Sequence, residues 1–294
     1  MGEPATATGV RASTDQVLAD YDRSASPSAR VLLTTIFGDA ILPRRRAASV
    51  AALATLAQPL GINERAVRTA LQRLSTEQLV SADRVGRHSF YRVHPDAVPT
   101  FEQANRRIYQ RPRPSWDGQW TIAVLDAAEG AEGERLAQEL RWLGLAPVEP
   151  GVLVSATVTP AEVIAVAGPD GAGLTALTRG LLDAGSLTGD EGRRRLVDPD
   201  GALDKLYRRH LETFAPALDI AADAPGVDAF VLRTLAVDSW RRIALRAAEV
   251  PPALEPTDWL AEPAFELTAE LLAQLRSASD RHLDEVLGRD PDRP

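Results

Sequence analysis

Two apolar-striped segments separated only by Pro59-Leu60-Gly61-Ile62-Asn63 constrain this chain more than any other feature. Residues 50–58 place Leu53, Leu56 and Ala57 on one helical face, with Ser49 positioned as the N-cap. Proline and glycine end that helix, and Asn63 then offers a side-chain oxygen to an orphan amide of the next one. From residue 64 to about 77, Val67, Ala70, Leu71 and Leu74 recur at helical spacing, while Arg65, Arg68, Thr69, Gln72 and Arg73 occupy the other face. Helix, short glycine-containing turn and helix with basic and amide side chains outward describe a helix-turn-helix. Arginine bridges guanine O6 and N7, and glutamine bridges adenine N6 and N7, so this face has the chemistry to read major-groove edges. Taken alone, the helix is equally well an amphipathic surface helix.

The flanking residues favour the first reading. Strand character at residues 79–82 and 89–93 surrounds Asp83-Arg84-Val85-Gly86-Arg87-His88, a basic hairpin tip. A hairpin directly after a recognition helix is the wing of a winged helix, with Arg84, Arg87 and His88 directed at backbone or minor groove. Upstream, residues 28–38 read as a first helix, Ser28 capping it and Gly38 ending it. Arg44, Arg45 and Arg46 follow as phosphate clamps. His88 and His94 have no third ligand at zinc spacing.

Charge supports the same division. Residues 24–114 hold 14 arginines against 6 acids, although the whole chain carries a net charge of −8. The pattern is a basic module on an acidic body, able to attract phosphates locally while the rest repels them. A length of 294 residues predicts two or three domains. The absence of cysteine excludes disulfides, thiol nucleophiles and cysteine-ligated metals, and the single lysine, Lys205, sits in no phosphate loop. No apolar run reaches membrane-spanning length, and the first twenty residues lack the pattern of a secretory signal, so a cytoplasmic protein is expected.

Beyond the hairpin, residues 100–110 read as a linking helix, and Arg111-Pro112-Arg113-Pro114 as an extended spacer. A strand at 120–126, a helix at 132–143, a strand at 151–155, a helix at 160–167 and an edge strand at 174–178 point to a ferredoxin-like sandwich. Glycine-rich residues 168–173 read as a turn. Helices are expected at 202–215, 229–249 and 264–287. Arg208, Arg209, Trp240, Arg241 and Arg242 combine cations with an aromatic ring. This set suits the phosphates and adenine of a CoA thioester, or pairs with neighbouring acids as surface bridges.

Gly38-Asp39 with Leu42-Pro43-Arg44, the run PLGINERAVRTALQRL, Gly86-Arg87 with Tyr91-Arg92, and PSWDGQW at residues 114–120 together resemble the PaaX family, repressors of phenylacetate catabolism. Phe230 with Arg233, Trp240-Arg241-Arg242, and Leu254 with Pro256-Thr257-Asp258-Trp259 resemble its C-terminal pattern. The chain departs from the pattern at Gln72 and at Gln78-Leu79. The resemblance implies a Cas2-like central domain, and Cas2-like proteins can carry a metal-binding aspartate at the end of the first strand, where Asp126 stands. A metal-dependent nuclease is therefore the rival expectation, against Asp126 as a turn or cap residue.

The expected fold is α+β in five segments: a disordered tail over residues 1–23, a winged helix-turn-helix DNA-binding domain over 24–98 and a linker over 99–118. A ferredoxin-like, Cas2-like domain spans 119–198, and a mainly helical C-terminal domain spans 199–294. The expected function is a dimeric, non-enzymatic regulator that binds operator DNA, needs no cofactor and, as the resemblance implies, answers to an acyl-CoA effector such as phenylacetyl-CoA.

Overall fold

The computed structural model describes residues 7–44, 46–86, 88–126, 130–171, 173–181, 189–247 and 249–288. Its first helix, α1 (Ala7–Ala25), lies where a disordered tail was expected. Val10, Thr14, Val17 and Tyr21 form a sparse helical stripe, and all four are buried. Ser28 caps α2 (Ala29–Ile36) as expected, its hydroxyl accepting from the Val31 amide. Gly38, however, does not end the helix. The chain continues through a π-helical turn at Phe37–Ile41, and every residue of that turn is buried.

Gly38 serves instead as a point of close approach. A Cβ there would lie 3.1 Å from the Phe101 ring, and its carbonyl accepts from Asn105 Nδ2 at 3.2 Å. The short strand β1 (Ala48–Ser49) leads into α3 (Val50–Ala57), and Ser49 Oγ accepts from the Ala52 amide. Gly61, at φ 78°, closes the turn, a left-handed conformation that glycine adopts without strain. Asn63 then caps α4 (Glu64–Thr76) through the Ala66 amide at 2.9 Å. Strands β2 (Val80–Val85) and β3 (His88–Val93) form the hairpin, and β1 pairs with β3 to complete an antiparallel sheet ordered β1-β3-β2. Helix α5 (Val98–Gln110) follows.

The chain then enters a second compact unit, made of Pro112–Leu206 and Arg246–Leu260. Here β4 (Trp120–Leu125), α6 (Gly130–Leu143), β5 (Ala146–Glu149), β6 (Val152–Ser155), α7 (Pro160–Ala167) and β7 (Leu174–Gly180) give a βαββαβ order. All neighbouring strands are antiparallel in the order β5-β6-β4-β7, the ferredoxin-like arrangement. Strand β5 had no counterpart in the sequence reading, because Pro147 interrupts it. Proline is tolerated there because β5 is an edge. Helix α8 (Asp190–Val197) also belongs to this unit, where Leu196 and Val197 pack with Trp120, Val154 and Leu254.

The remaining helices are α9 (Ala202–Phe214), α10 (Leu218–Ala221), α11 (Gly226–Arg246) and α12 (Ala261–Gly288). Residues 207–245 and 261–294 fall in one compact unit with residues 1–111. The front end and the C-terminal helices therefore share this unit. Leu32, Phe37, Leu53, Leu71, Phe230, Leu235, Leu271 and Leu283 belong to one continuous buried cluster. Thirteen residues of α11 are buried, so it is a central helix and not the half-exposed one that its charges imply.

Candidate nucleic-acid interface

The outward face of α4 is built by its inward one. Val67, Ala70, Leu71 and Leu74 are buried against α2 and α3, which fixes the helix's rotation and leaves Arg65, Arg68, Thr69, Gln72 and Arg73 exposed together. Arg68 pairs with Glu64 one turn back, and Thr69 Oγ1 donates to the Arg65 carbonyl. Exposed Arg84 and His88 lie on the hairpin, where Arg92 pairs with Asp83 across the strands. Arg87 and Arg45 lie outside the described residues. Arg30 and Glu77 pair, joining the start of α2 to the end of α4 and holding the Glu77 carboxyl below its ordinary range.

Arg44 and Arg46 are not free clamps. Arg44 Nη2 contacts Asp280 Oδ1 at 2.6 Å, and Arg46 Nη1 contacts Asp284 Oδ1 at 2.9 Å, both on α12. The Arg44 side chain is only 16% exposed. Their sequence position suited phosphate contact, but acids more than two hundred residues later neutralise them.

The same feature extends inward. Asp39, on the π-helical turn, is gripped by Arg233 through Nε at 2.8 Å and Nη2 at 3.0 Å, and it also accepts from Tyr109. Arg233 Nη1 reaches Asp280 at 3.0 Å. Burial works against the Arg233 charge, but Asp39, Tyr109 and Asp280 outweigh it and hold its pKa above the ordinary arginine value. Burial, then the charge and hydrogen bond of Asp39, push the Tyr109 phenol far up, so it remains a donor.

A second buried carboxylate, Asp238, is fully enclosed. It accepts from Tyr21 at 2.6 Å, Thr35 at 2.7 Å and Arg241 at 3.1 Å, and Arg242 forms an ion pair with it at 3.1 Å. Three donors and a second guanidinium thus surround the carboxylate.

These contacts redraw the proposed effector set. Trp240 is 2% exposed, and its Nε1 donates to the Ile108 carbonyl at 2.9 Å, so its ring is a core ring and not a stacking surface. Arg241 and Arg242 answer Asp238, and Arg242 also lies over the Tyr21 ring at 5.8 Å. Arg209 donates to the Ser24 carbonyl, and exposed Arg208 stands beside it on α9. The five residues do not converge on one open surface.

Asp126 is exposed just past β4, its amide donating to the Gly173 carbonyl. No group of three or more His, Asp or Glu residues placed to hold a metal occurs among the described residues. Nothing in the described structure supports the nuclease alternative.

Asp39, Tyr109, Arg233, Asp238 and Asp280 were not singled out as functional from sequence. Their signal was present in part: Asp39, Arg233 and the Arg241-Arg242 pair all lie in the blocks that carry the family resemblance. The tertiary structure bonds those separate blocks to each other.

The architecture is that of an α+β protein with a Cas2-like sheet domain and a separate helical unit that displays a basic helix and hairpin. Residues 28–95 match the family described as PaaX-like protein, residues 113–173 the PaaX protein central Cas2-like domain, and residues 200–285 the PaaX-like protein C-terminal domain. The chain belongs to the PaaX family. It is 25% identical over 254 residues to the transcriptional repressor PaaX of Escherichia coli strain K12, covering 84% of this chain and 80% of that one. Its fold is similar to that of an uncharacterized protein, Rv0674, from Mycobacterium tuberculosis. The TM-score is 0.57 at 18% identity, over 88% of this chain and 98% of that one.

Proposed function

We propose that this protein is a DNA-binding transcriptional repressor of an aromatic, phenylacetate-type catabolic operon. The observation that carries the reading is the exposed set Arg65, Arg68, Thr69, Gln72 and Arg73 on a helix capped by Asn63 and followed by a hairpin bearing Arg84 and His88. In a winged helix-turn-helix, that helix occupies the major groove and the hairpin meets backbone or minor groove. The likeness to a transcriptional repressor over four fifths of both chains supports the same reading.

The protein acts as a homodimer on a roughly palindromic operator, and an acyl-CoA such as phenylacetyl-CoA releases it. Release requires that the effector bind the DNA-incompetent arrangement more tightly. Fluorescence anisotropy of the full chain on its own promoter and on a shuffled duplex, at moderate ionic strength, tests the reading. Tighter, salt-sensitive binding to the promoter is expected, and equal affinity for both duplexes would remove the regulatory assignment.

A further inference from the structure

Three ion pairs lead outward from the π-helical turn, and they grade in exposure. Arg233 with Asp39 is the innermost, Arg44 with Asp280 the next, and Arg46 with Asp284 the outermost, the three arginine side chains being 14%, 16% and 30% exposed. Asp280 and Asp284 stand one turn apart on α12. The gradient separates the arginines by the cost of release. Arg233 is bidentate to Asp39 and also bonds Asp280, so withdrawing it would strand a buried carboxylate. Arg44 donates to the Ala40 carbonyl as well as to Asp280. Arg46 meets Asp284, a carboxylate whose side chain is 57% exposed, and a pair so open to water contributes little. Asp284 also lies 3.8 Å from Arg44 Nε, so the departure of Arg46 leaves it a cation.

The position of Arg46 in the fold gives the release a purpose. It stands just before β1, whose Ser49 caps α3, the first helix of the helix-turn-helix. In that motif the first helix crosses the nucleic-acid backbone while the second enters the groove. Helix α3 contacts both α4, which carries the basic face, and α12, which carries Asp284.

We propose that Arg46 is a gated ligand for a backbone phosphate of duplex DNA, and that Asp284 is the acid that gates it. In the free protein Asp284 holds the guanidinium. On the duplex a phosphate takes it over, and the exposed carboxylate returns to water. Arg44 and Arg233 stay in place and hold the turn. The inference rests on the DNA-binding reading and deepens it: Asp284 sets a threshold on backbone affinity without reading sequence, because phosphate contacts carry no base information.

Anisotropy titrations of the full chain on its own promoter and on a shuffled duplex, over a series of salt concentrations, test the proposal. Asp284→Asn keeps the shape of the side chain and removes the competing charge, and it should tighten both duplexes alike by about two- to fivefold at low salt. Glu285→Gln removes the same charge from the neighbouring exposed position of α12 and should tighten them by clearly less. The double variant Arg46→Ala/Asp284→Asn should lose the gain, and its log affinity should fall less steeply with log salt than that of Asp284→Asn, by about one unit of slope.

Wild-type affinity in Asp284→Asn overturns the proposal. An equal gain in Glu285→Gln, or a gain that survives in the double variant, also overturns it, because either reduces Asp284 to general repulsion. If Asp284→Asn melts below wild type, Arg46→Ala decides: equal weakening on the two duplexes supports the phosphate contact, whereas wild-type affinity or a loss confined to the promoter removes it. The regulator reading fails separately. Promoter preference in wild type with no response to Asp284→Asn keeps the repressor and removes the gate; an Arg46-dependent gain on both duplexes without promoter preference does the reverse.

Discussion

At the scale of single residues, one buried histidine has a partner for each of its ring nitrogens. His210 is 1% exposed, its Nδ1 2.9 Å from Ser239 Oγ and its Nε2 2.8 Å from Thr268 Oγ1. Thr268 already donates its hydroxyl hydrogen to the Ala264 carbonyl, so it must accept from Nε2–H, leaving Nδ1 to accept from Ser239. Burial lowers the His210 pKa to about 3, from an ordinary 6.5. Between those values the unfolded chain binds the extra proton, so this histidine's contribution to stability is complete above pH 6.5 and declines as pH falls.

A loss of about 2 kcal/mol between pH 7 and pH 5 is expected from this residue, with a smaller loss in His210→Gln. Denaturant titrations at the two pH values check it. On the exposed face, Arg73→Ala should weaken binding to the specific site by about 1–3 kcal/mol while affecting random duplex less. Paired anisotropy titrations measure both, and equal losses would reassign Arg73 to a phosphate contact. Arg68, held by Glu64, must leave that pair to reach a base, so Arg68→Ala should cost less than Arg73→Ala.

Among the elements, those with a strong local pattern were legible. Asn63, Gly61 and the spacing of Val67, Ala70, Leu71 and Leu74 defined α4 to within a residue, because capping and amphipathicity act over a few positions. Elements whose pattern depends on a distant partner were not. The π-helical turn at Phe37–Ile41 persists through Gly38 because α5 approaches there, and strand β5 forms despite Pro147 because β6 supplies its ladder. Gly38→Val should therefore overpack the contact with Phe101 and destabilise the fold by about 1–3 kcal/mol, read as a lower midpoint in thermal unfolding. A midpoint equal to wild type would show that the Phe101 ring moves aside freely. The central helix α11 misleads for the same reason: Asp228 and Asp238 look like surface acids, yet one meets Arg11 at 2.9 Å and the other meets two hydroxyls and two arginines.

For the whole molecule, the basic front end shares its core with the C-terminal helices. Phe37, Ile41 and Leu53 lie in one cluster with Phe230, Leu271 and Leu283, and Arg44 and Arg233 both reach Asp280. A fragment of residues 24–98 would expose that apolar surface and leave Asp39 unpaired. It should show no cooperative calorimetric transition and should bind hydrophobic dyes, whereas the full chain should melt cooperatively. A sharp transition in the fragment would establish that the front end folds alone. The second unit has its own cores, one beneath α6 and α7 and one around Trp120.

By itself, the sequence determined the helix-turn-helix segment, the basic hairpin, most strands of the central sheet, and the residues that share a face on α4. Each follows from interactions a few positions apart, through caps, turns and periodicity. Tertiary structure alone decided that Arg44, Arg46 and Trp240 face inward or pair within the chain, and that Asp39 and Asp238 are buried. Burial and charge pairing depend on which residues meet across two hundred positions, and local pattern carries no record of that.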